Sequence, residues 1–220
     1  MATVLVTGAN RGIGLAFARA FAARGDRVIG TARRAADVTE LQQVADEVLP
    51  LDVTDDDSVS ALTLAIGETP IDLLVHNAGI LVRDDLDDLD PAVFMQQVEV
   101  NALGPLRVTR ALRPHLARAA APRIVCITSR MGSITDNTSG RMYGYRASKA
   151  ALNAVVKSLS IDLPWPVYAV HPGWVATRMT DHEGPLTPDQ SVANMLALLD
   201  RLGPEHTGRF FHCEGHELPW

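Results

Sequence analysis

Tyr145 and Lys149 stand four residues apart in Tyr145-Arg146-Ala147-Ser148-Lys149, a spacing that makes them neighbours on one helix face. A phenol with an ordinary pKa of about 10 exchanges protons poorly at neutral pH, and an adjacent ammonium favours the phenolate. Such a pair suits proton delivery to the alkoxide that develops when hydride is transferred to a carbonyl. The same spacing also occurs for purely structural reasons, so the pair does not decide alone. Tyr143 is a rival tyrosine, but no lysine follows it at helical spacing.

A second motif is Thr7-Gly8-Ala9-Asn10-Arg11-Gly12-Ile13-Gly14. It falls between an apolar run and a helical pattern. Glycines there permit a tight turn and let a pyrophosphate approach the N–H groups of a helix start. Gly8, Asn10, Arg11, Gly12, Ile13 and Gly14 are therefore candidate cofactor contacts. The spacing is G-x-x-x-G-x-G, and glycine-rich turns also serve plain strand-to-helix packing. An NAD site would place an acid about 20 residues further on. Here the stretch is Gly30-Thr31-Ala32-Arg33-Arg34, without a carboxylate. Arg33 suits a 2′-phosphate through charge-assisted hydrogen bonds, with Arg11 as a second cation. Both arginines could instead simply solvate the strand end. The balance favours NADP(H) over NAD(H).

These residues need elements to hold them. Apolar runs predict strands at Thr3–Thr7, Arg27–Ala32, Val48–Leu51, Ile71–His76, Arg123–Thr128, Val167–His171 and Arg209–His212. Most are continuous rather than alternating, as in parallel strands covered on both faces. Helical patterns fill the gaps at Gly14–Arg24, Thr39–Glu47, Asp56–Ile66, Pro91–Ala119, Tyr145–Asp162 and Asp189–Leu202. The alternation predicts an α/β single-domain Rossmann fold, a doubly wound parallel sheet of about seven strands with helices on both faces. No linker or repeat divides residues 1–220, which read as one domain. Asp90-Pro91 is a helix start, with a carboxylate cap and a first residue that needs no N–H partner. Asp84, Asp85, Asp87, Asp88 and Asp90 read as a solvated loop leading into that cap rather than a cation site. Pro172-Gly173 ends the sixth strand, and Thr177 to Pro188 reads as loop.

With these elements in order, the chain resembles the short-chain dehydrogenase/reductase family over nearly its whole length. The family's glycine motif corresponds to Thr7 to Gly14. Its acid after the third strand corresponds to Asp52, with Val53 beside it at the adenine. Its N-N-A-G motif appears as His76-Asn77-Ala78-Gly79, with histidine replacing the first asparagine. The resemblance implies a proton-relay asparagine at Asn101, an active-site serine at Ser129, the general acid at Tyr145 and a ribose-binding lysine at Lys149. It further implies cofactor contacts from Pro172, Gly173, Val175 and Thr177, the last at the nicotinamide carboxamide. The stretch Asp136 to Gly140, the short segment after Thr177 and the ending Phe210 to Trp220 resemble the C-factor-like and NADPH-dependent carbonyl reductase branch.

Two departures matter. Ser129 lies 16 residues before Tyr145 and Ser133 lies 12 before it, either side of the family's usual separation. Ser129 is preferred because Ile127-Thr128-Ser129 ends a strand and Gly132 follows. That choice places a small insertion among Thr135–Arg141. The short segment after Thr177 implies a small lid and a relaxed or unusual substrate requirement. Met131, Ile134, Met142, Trp174 and Met179 would line an apolar pocket for an aldehyde, ketone or quinone.

Composition bounds the rest. With 220 residues, 47% hydrophobic, 21% charged and a net charge of −6, the chain is neither disordered nor suited to phosphodiester backbones. Two cysteines form no disulfide framework, apolar stretches are too short to span a bilayer, and no leader precedes the first strand. A soluble cytoplasmic protein is expected. His212, Cys213 and His216 are too few for a catalytic zinc cluster, so no metal is expected. The competing function is a nucleotide-binding regulatory protein with little turnover. A homodimer through the two longest helical segments is expected from the resemblance. The small-residue surface of Ala147, Ala150, Ala151 and Ala154 would suit that contact or packing on the sheet equally.

Overall fold

Short runs rich in Val, Ile and Leu form seven strands, in a computed structural model that describes residues 1–34 and 38–220. They are β1 (Thr3–Val6), β2 (Arg27–Ala32), β3 (Glu47–Pro50), β4 (Leu73–His76), β5 (Arg123–Ile127), β6 (Val167–His171) and β7 (Phe210–His212). All pair in parallel in the order β3-β2-β1-β4-β5-β6-β7. Successive side chains serve opposite faces: Val4 and Val6 join one core, Leu5 the other. The first core lies beneath α1 (Gly12–Ala23) and α7 (Pro188–Leu199), with Phe17, Phe21, Val125, Tyr168 and Met195. The second lies beneath α3 (Asp56–Ile66), α5 (Gly104–Arg118) and α6 (Tyr143–Asp162), with Ile29, Leu74, Leu112, Ile124 and Val156. Burial on both faces is why the strands read as unbroken apolar runs.

Strand order reverses between β1 and β4, which pair with each other through Val6 and Val75. At such a switch point the following loops diverge, leaving a crevice at the carboxyl ends of the strands. No helix among the described residues is long and apolar enough to cross a membrane.

Two helices differ from expectation. The predicted Thr39–Glu47 helix is only α2 (Thr39–Gln42), and Glu47 already pairs with Ile29 in β3. Asp46 accepts a hydrogen bond from Val28 N at 2.8 Å and Glu47 pairs with Arg27, so both residues are drawn to the sheet. The predicted Pro91–Ala119 helix is three pieces: α4 (Pro91–Val98), a π-turn at Glu99–Leu103, and α5. Pro105 has no N–H to offer the carbonyl four residues back, and Gly104 lies tightly against Val53, so the helix rewinds there. Asp90 caps α4 as expected, accepting from Ala92 N at 2.8 Å. Within the predicted Thr177–Pro188 loop, Arg178–Thr180 form a 3₁₀ turn and Leu186 bridges to Val175.

Candidate active site

The glycine loop joins β1 to α1 at the crevice, and its glycines do different things. Gly8 has φ +64° and a side chain there would press on Ala78. Gly14 has no such turn requirement. It is buried, and a Cβ would overlap the Gly8 carbonyl and the Asn77 side chain. Gly12 has φ +53°, and the nearest atom to a Cβ would be Thr177 Cγ2 at 3.6 Å. Of the three, Gly12 is the one that keeps the loop surface approachable. The α1 N-terminus begins at Arg11 in extended conformation, without a side-chain cap or an acidic residue in its first turn. Its first N–H groups and positive dipole end therefore suit an anion. Asn10 and Ile13 are half-buried beside them, Ile13 packing on the first core, and Arg11 is exposed.

Asn77 braces this loop from β4. Its Nδ2 donates to Thr7 O at 3.0 Å and Gly8 O at 2.9 Å, while Asn77 N and Ala78 N donate to Thr7 Oγ1. His76, the departure from the family motif, faces away from the crevice. Its Nε2 meets Thr109 Oγ1 of α5 at 2.8 Å, and full burial lowers its pKa to about 3, so the ring is neutral. Arg33 is exposed at the end of β2. Burial acts to raise the pKa of Asp52, but hydrogen bonds from Thr54 and the charges of Arg33 and Arg107 hold it below its ordinary value. Val53 is buried against Gly104.

The acid–base group assembles from three separate elements. Ser129 follows β5, 7% exposed, with its hydroxyl close enough to the Tyr145 phenol of α6 to lower its pKa. Lys149, one turn on, donates from Nζ to Ile127 O at 2.9 Å and lies 5.8 Å from the Tyr145 ring centre. Gly79 abuts both Asn101 and Lys149, where a Cβ would lie 3.0 Å from Asn101 Oδ1 and 3.7 Å from Nζ. The π-turn points the Asn101 side chain inward. Its Oδ1 accepts from Ile80 N, and its Nδ2 donates to Ile80 O and to Ser148 Oγ at 2.9 Å. Ser148 in turn donates to Tyr145 O at 2.7 Å. Asn101 thus ties the loop after β4 to the turn of α6 that carries the tyrosine.

One expectation is reversed. Lys149 is not what dominates the phenol. Burial pushes Tyr145 up to about 12, with the neighbouring Ser129 hydroxyl pulling it down. Burial likewise lowers Lys149 to about 8, opposed by neighbouring Cys126. Both shifts have one origin, the cost of charge in a dry site.

Ser133 is placed elsewhere. It is 1% exposed, donates to Trp220 O at 2.9 Å and accepts from Asp136 N at 3.1 Å. The Thr135–Arg141 segment folds over Arg146, which donates to Gly140 O, Arg141 O and Ser139 Oγ. Asp84, expected in a solvated loop, is half-buried and holds the start of α6, accepting from Gly144 N at 3.0 Å through its side chain. Sequence reasoning missed Asp84, which sits in a run of similar acids. Pro172 and Val175 are buried below the crevice, and Gly173 takes φ +85° against Leu186. Thr177 stands half-exposed opposite Gly12. Of the pocket residues expected, Ile134, Trp174 and Met179 are exposed, and Met131 and Met142 half-buried.

Residues 2–186 match the model of the short chain dehydrogenase family. The chain belongs to that family. It is accordingly an oxidoreductase acting on CH–OH or C=O groups. It is 40% identical to 1-hydroxy-2-glutathionyl-2-methyl-3-butene dehydrogenase of Rhodococcus sp. (strain AD45), over the full length of both chains. It is 46% identical to the C-signal protein of Myxococcus xanthus over 155 residues, 69% of this chain and 93% of that one. In structure it is similar to an NADPH-bound carbonyl reductase from chicken fatty liver, with a TM-score of 0.94 at 33% identity, covering 100% and 99% of the two chains.

Proposed function

We propose that the protein is an NADP(H)-dependent carbonyl reductase that exchanges hydride with an aldehyde, ketone or quinone, residues 1–220 acting as one domain. The observation that carries this reading is the joining of Ser129, Tyr145, Lys149 and Asn101 in one buried cluster beside the uncapped start of α1. The residues present fit the cofactor. Gly8, Asn10, Gly12, Ile13 and Gly14 would form the pyrophosphate turn, and Arg11 and Arg33 would take the 2′-phosphate. Asp52 and Val53 would flank the adenine, and Asn77, Ala78 and Gly79 would line the crevice floor. Tyr145 and Lys149 would hold the ribose, with Pro172, Gly173, Val175 and Thr177 around the nicotinamide. When bound, the cofactor supplies the hydride.

Each catalytic group has a role that follows from its surroundings. Ser129 donates a hydrogen bond to the substrate oxygen, where charge develops. Tyr145, kept protonated at neutral pH by burial, passes its proton to the alkoxide, which is the form reduction requires. Lys149 sets a positive charge beside the phenolate left behind. Asn101 positions Tyr145 through Ser148 and helps order water for reprotonation. The exposed apolar rim of Ile134, Trp174 and Met179 favours a bulky apolar substrate. Exposed Leu103 and Leu106 and the α6 residue Ile161 support a homodimer through the long helices. Two buried free cysteines suit a cytoplasmic protein.

The test is NADPH oxidation across a panel of aldehydes, ketones and quinones. Tyr145→Phe is expected to lose about 10²- to 10⁴-fold in turnover while retaining cofactor binding. Turnover that survives the substitution overturns the mechanism. Similarity to the C-signal protein favours a second reading, a regulatory nucleotide-binding protein. Tight NADPH binding without turnover across the panel would support that one instead.

A further inference from the structure

The segment after β7 folds back as a tight hairpin. Gly215 N donates to His212 O at 2.8 Å, His212 N donates to His216 O at 2.9 Å, and Phe211 pairs antiparallel with Glu217. Gly215 makes the turn with φ +103°. This turn brings the side chains of His212, Glu214 and His216 together. One donor atom from each lies within 4.8 Å of the other two. The imidazoles of His212 and His216 stack with centres 4.6 Å apart and 12° between planes. Glu214 Oε2 lies 3.6 Å from His212 Nδ1. Cys213, between them, is buried on the opposite side at 1% exposure.

Two further contacts surround His212. His212 Nδ1 accepts the Glu214 N–H at 3.2 Å, a bond that ligation through that nitrogen would replace. The His171 ring meets His212 edge-on at 5.1 Å, and its buried Nδ1 has no partner among the described residues. Arg130, a neighbouring cation, is tied to Asp136 at 2.7 Å.

We propose that His212, Glu214 and His216 form a divalent-cation site of the zinc type, outside the catalytic cluster. Two imidazole nitrogens and one carboxylate oxygen suit Zn²⁺ rather than Mg²⁺ or Ca²⁺, and three protein ligands leave the fourth position to water. Zn–N and Zn–O distances of about 2.0–2.2 Å require the donors to close to roughly 3.3–3.6 Å of one another. Glu214 and His216 are exposed and free to make that movement. His212, Cys213 and His216 are the candidates visible in the sequence. The hairpin exchanges Cys213 for Glu214. The same hairpin runs on to Trp220, whose carbonyl holds Ser133 Oγ and Ile134 N. A bound ion therefore braces the loop behind Ser129.

The experiment is calorimetric titration of the untagged, chelator-stripped full chain with Zn²⁺, with thermal melting in parallel. One ion per chain is expected, and at about 100-fold excess over Kd the melting temperature should rise by roughly 5–10 °C. His216→Ala and Glu214→Gln alter exposed side chains, so their metal-free melts should match the parent. Each should weaken Zn²⁺ binding by at least about tenfold. Absence of saturable binding below about 1 mM, or affinity unchanged in both variants, overturns the proposal.

Discussion

Ser129 and Ser133 lie either side of the separation that would identify the active-site serine by counting, and their environments predict opposite phenotypes. Ser133 Oγ makes two buried hydrogen bonds, to Trp220 O at 2.9 Å and from Asp136 N at 3.1 Å. Ser133→Ala strands both partners, which costs about 1–3 kcal/mol. For a chain of this size that lowers the melting temperature by roughly 3–10 °C. Its hydroxyl is directed at Trp220 rather than the phenol, so kcat/KM at 25 °C should stay within about threefold of the parent. Ser129 Oγ accepts from Met131 N at 3.1 Å and lies beside the Tyr145 phenol, whose pKa it lowers. Ser129→Ala should cost about 1 kcal/mol in stability but about 10²- to 10³-fold in kcat/KM, the usual loss for removing a donor to a developing oxyanion. Steady-state NADPH oxidation and differential scanning calorimetry on both variants read the two axes separately. A folded Ser133→Ala protein without turnover, or Ser129→Ala with full turnover, would refute the assignment.

Three other outcomes follow from the same geometry. Arg33→Asp replaces the cation at the end of β2 with a carboxylate and should shift the NADPH-to-NADH preference by about 10- to 100-fold toward NADH; unchanged relative kcat/KM values would remove Arg33 from the site. Lys149 loses its proton above about 8, so turnover should fall as pH rises past that value. Lys149→Arg, which stays charged, should flatten that alkaline limb at a reduced rate, and a limb unchanged in the variant would belong to another group. His76 and His171 are both held neutral down to about 3 by burial, whereas unfolded imidazoles protonate near their ordinary value. Stability is therefore whole above that ordinary value and lost as pH falls below it, by about 1.4 kcal/mol per pH unit for each ring. His76→Asn should halve the slope between pH 6 and 4 in urea unfolding, and a full slope in the variant would locate the protons elsewhere.

Much of the fold was legible because doubly covered strands must be apolar throughout, so β2 and β6 read with their bounds intact. The helix break at Glu99–Leu103 was not. Val98 and Ala102 keep the helical spacing of four across it, and only Gly104-Pro105 marks the place where backbone donors run out. The candidate site was readable where chemistry restricts the residue type, as at Tyr145 and Lys149. It was unreadable where long-range packing decides. Trp220, 87 residues from Ser133, engages that serine and leaves Ser129 facing the phenol. The acidity of Tyr145 was misjudged because spacing reports proximity to Lys149 but says nothing of burial, which here is the larger effect.

The segment before α6 shows how an insertion beside the acid is tolerated. Arg141 and Met142 both take left-handed conformations, φ 53° and 57°, which cost non-glycine residues about 1–3 kcal/mol each. Relaxing them would swing the first turn of α6, and Tyr145 sits within it. Asp84 opposes that movement, accepting Met142 N at its carbonyl (2.9 Å) and Gly144 N at its carboxylate (3.0 Å). Gly144 allows the approach, since a Cβ there would crowd Gln97 and Asp84. Arg146 clamps the other side through the carbonyls of Gly140 and Arg141. Tyr145 is therefore fixed from three directions: by Asp84 at the helix start, by Arg146 at the insertion, and by Asn101 through Ser148 within the helix. Only the last comes from a position the family motif identifies. The other two depend on residues whose types are common anywhere on a surface, so their role can be read only from what they touch.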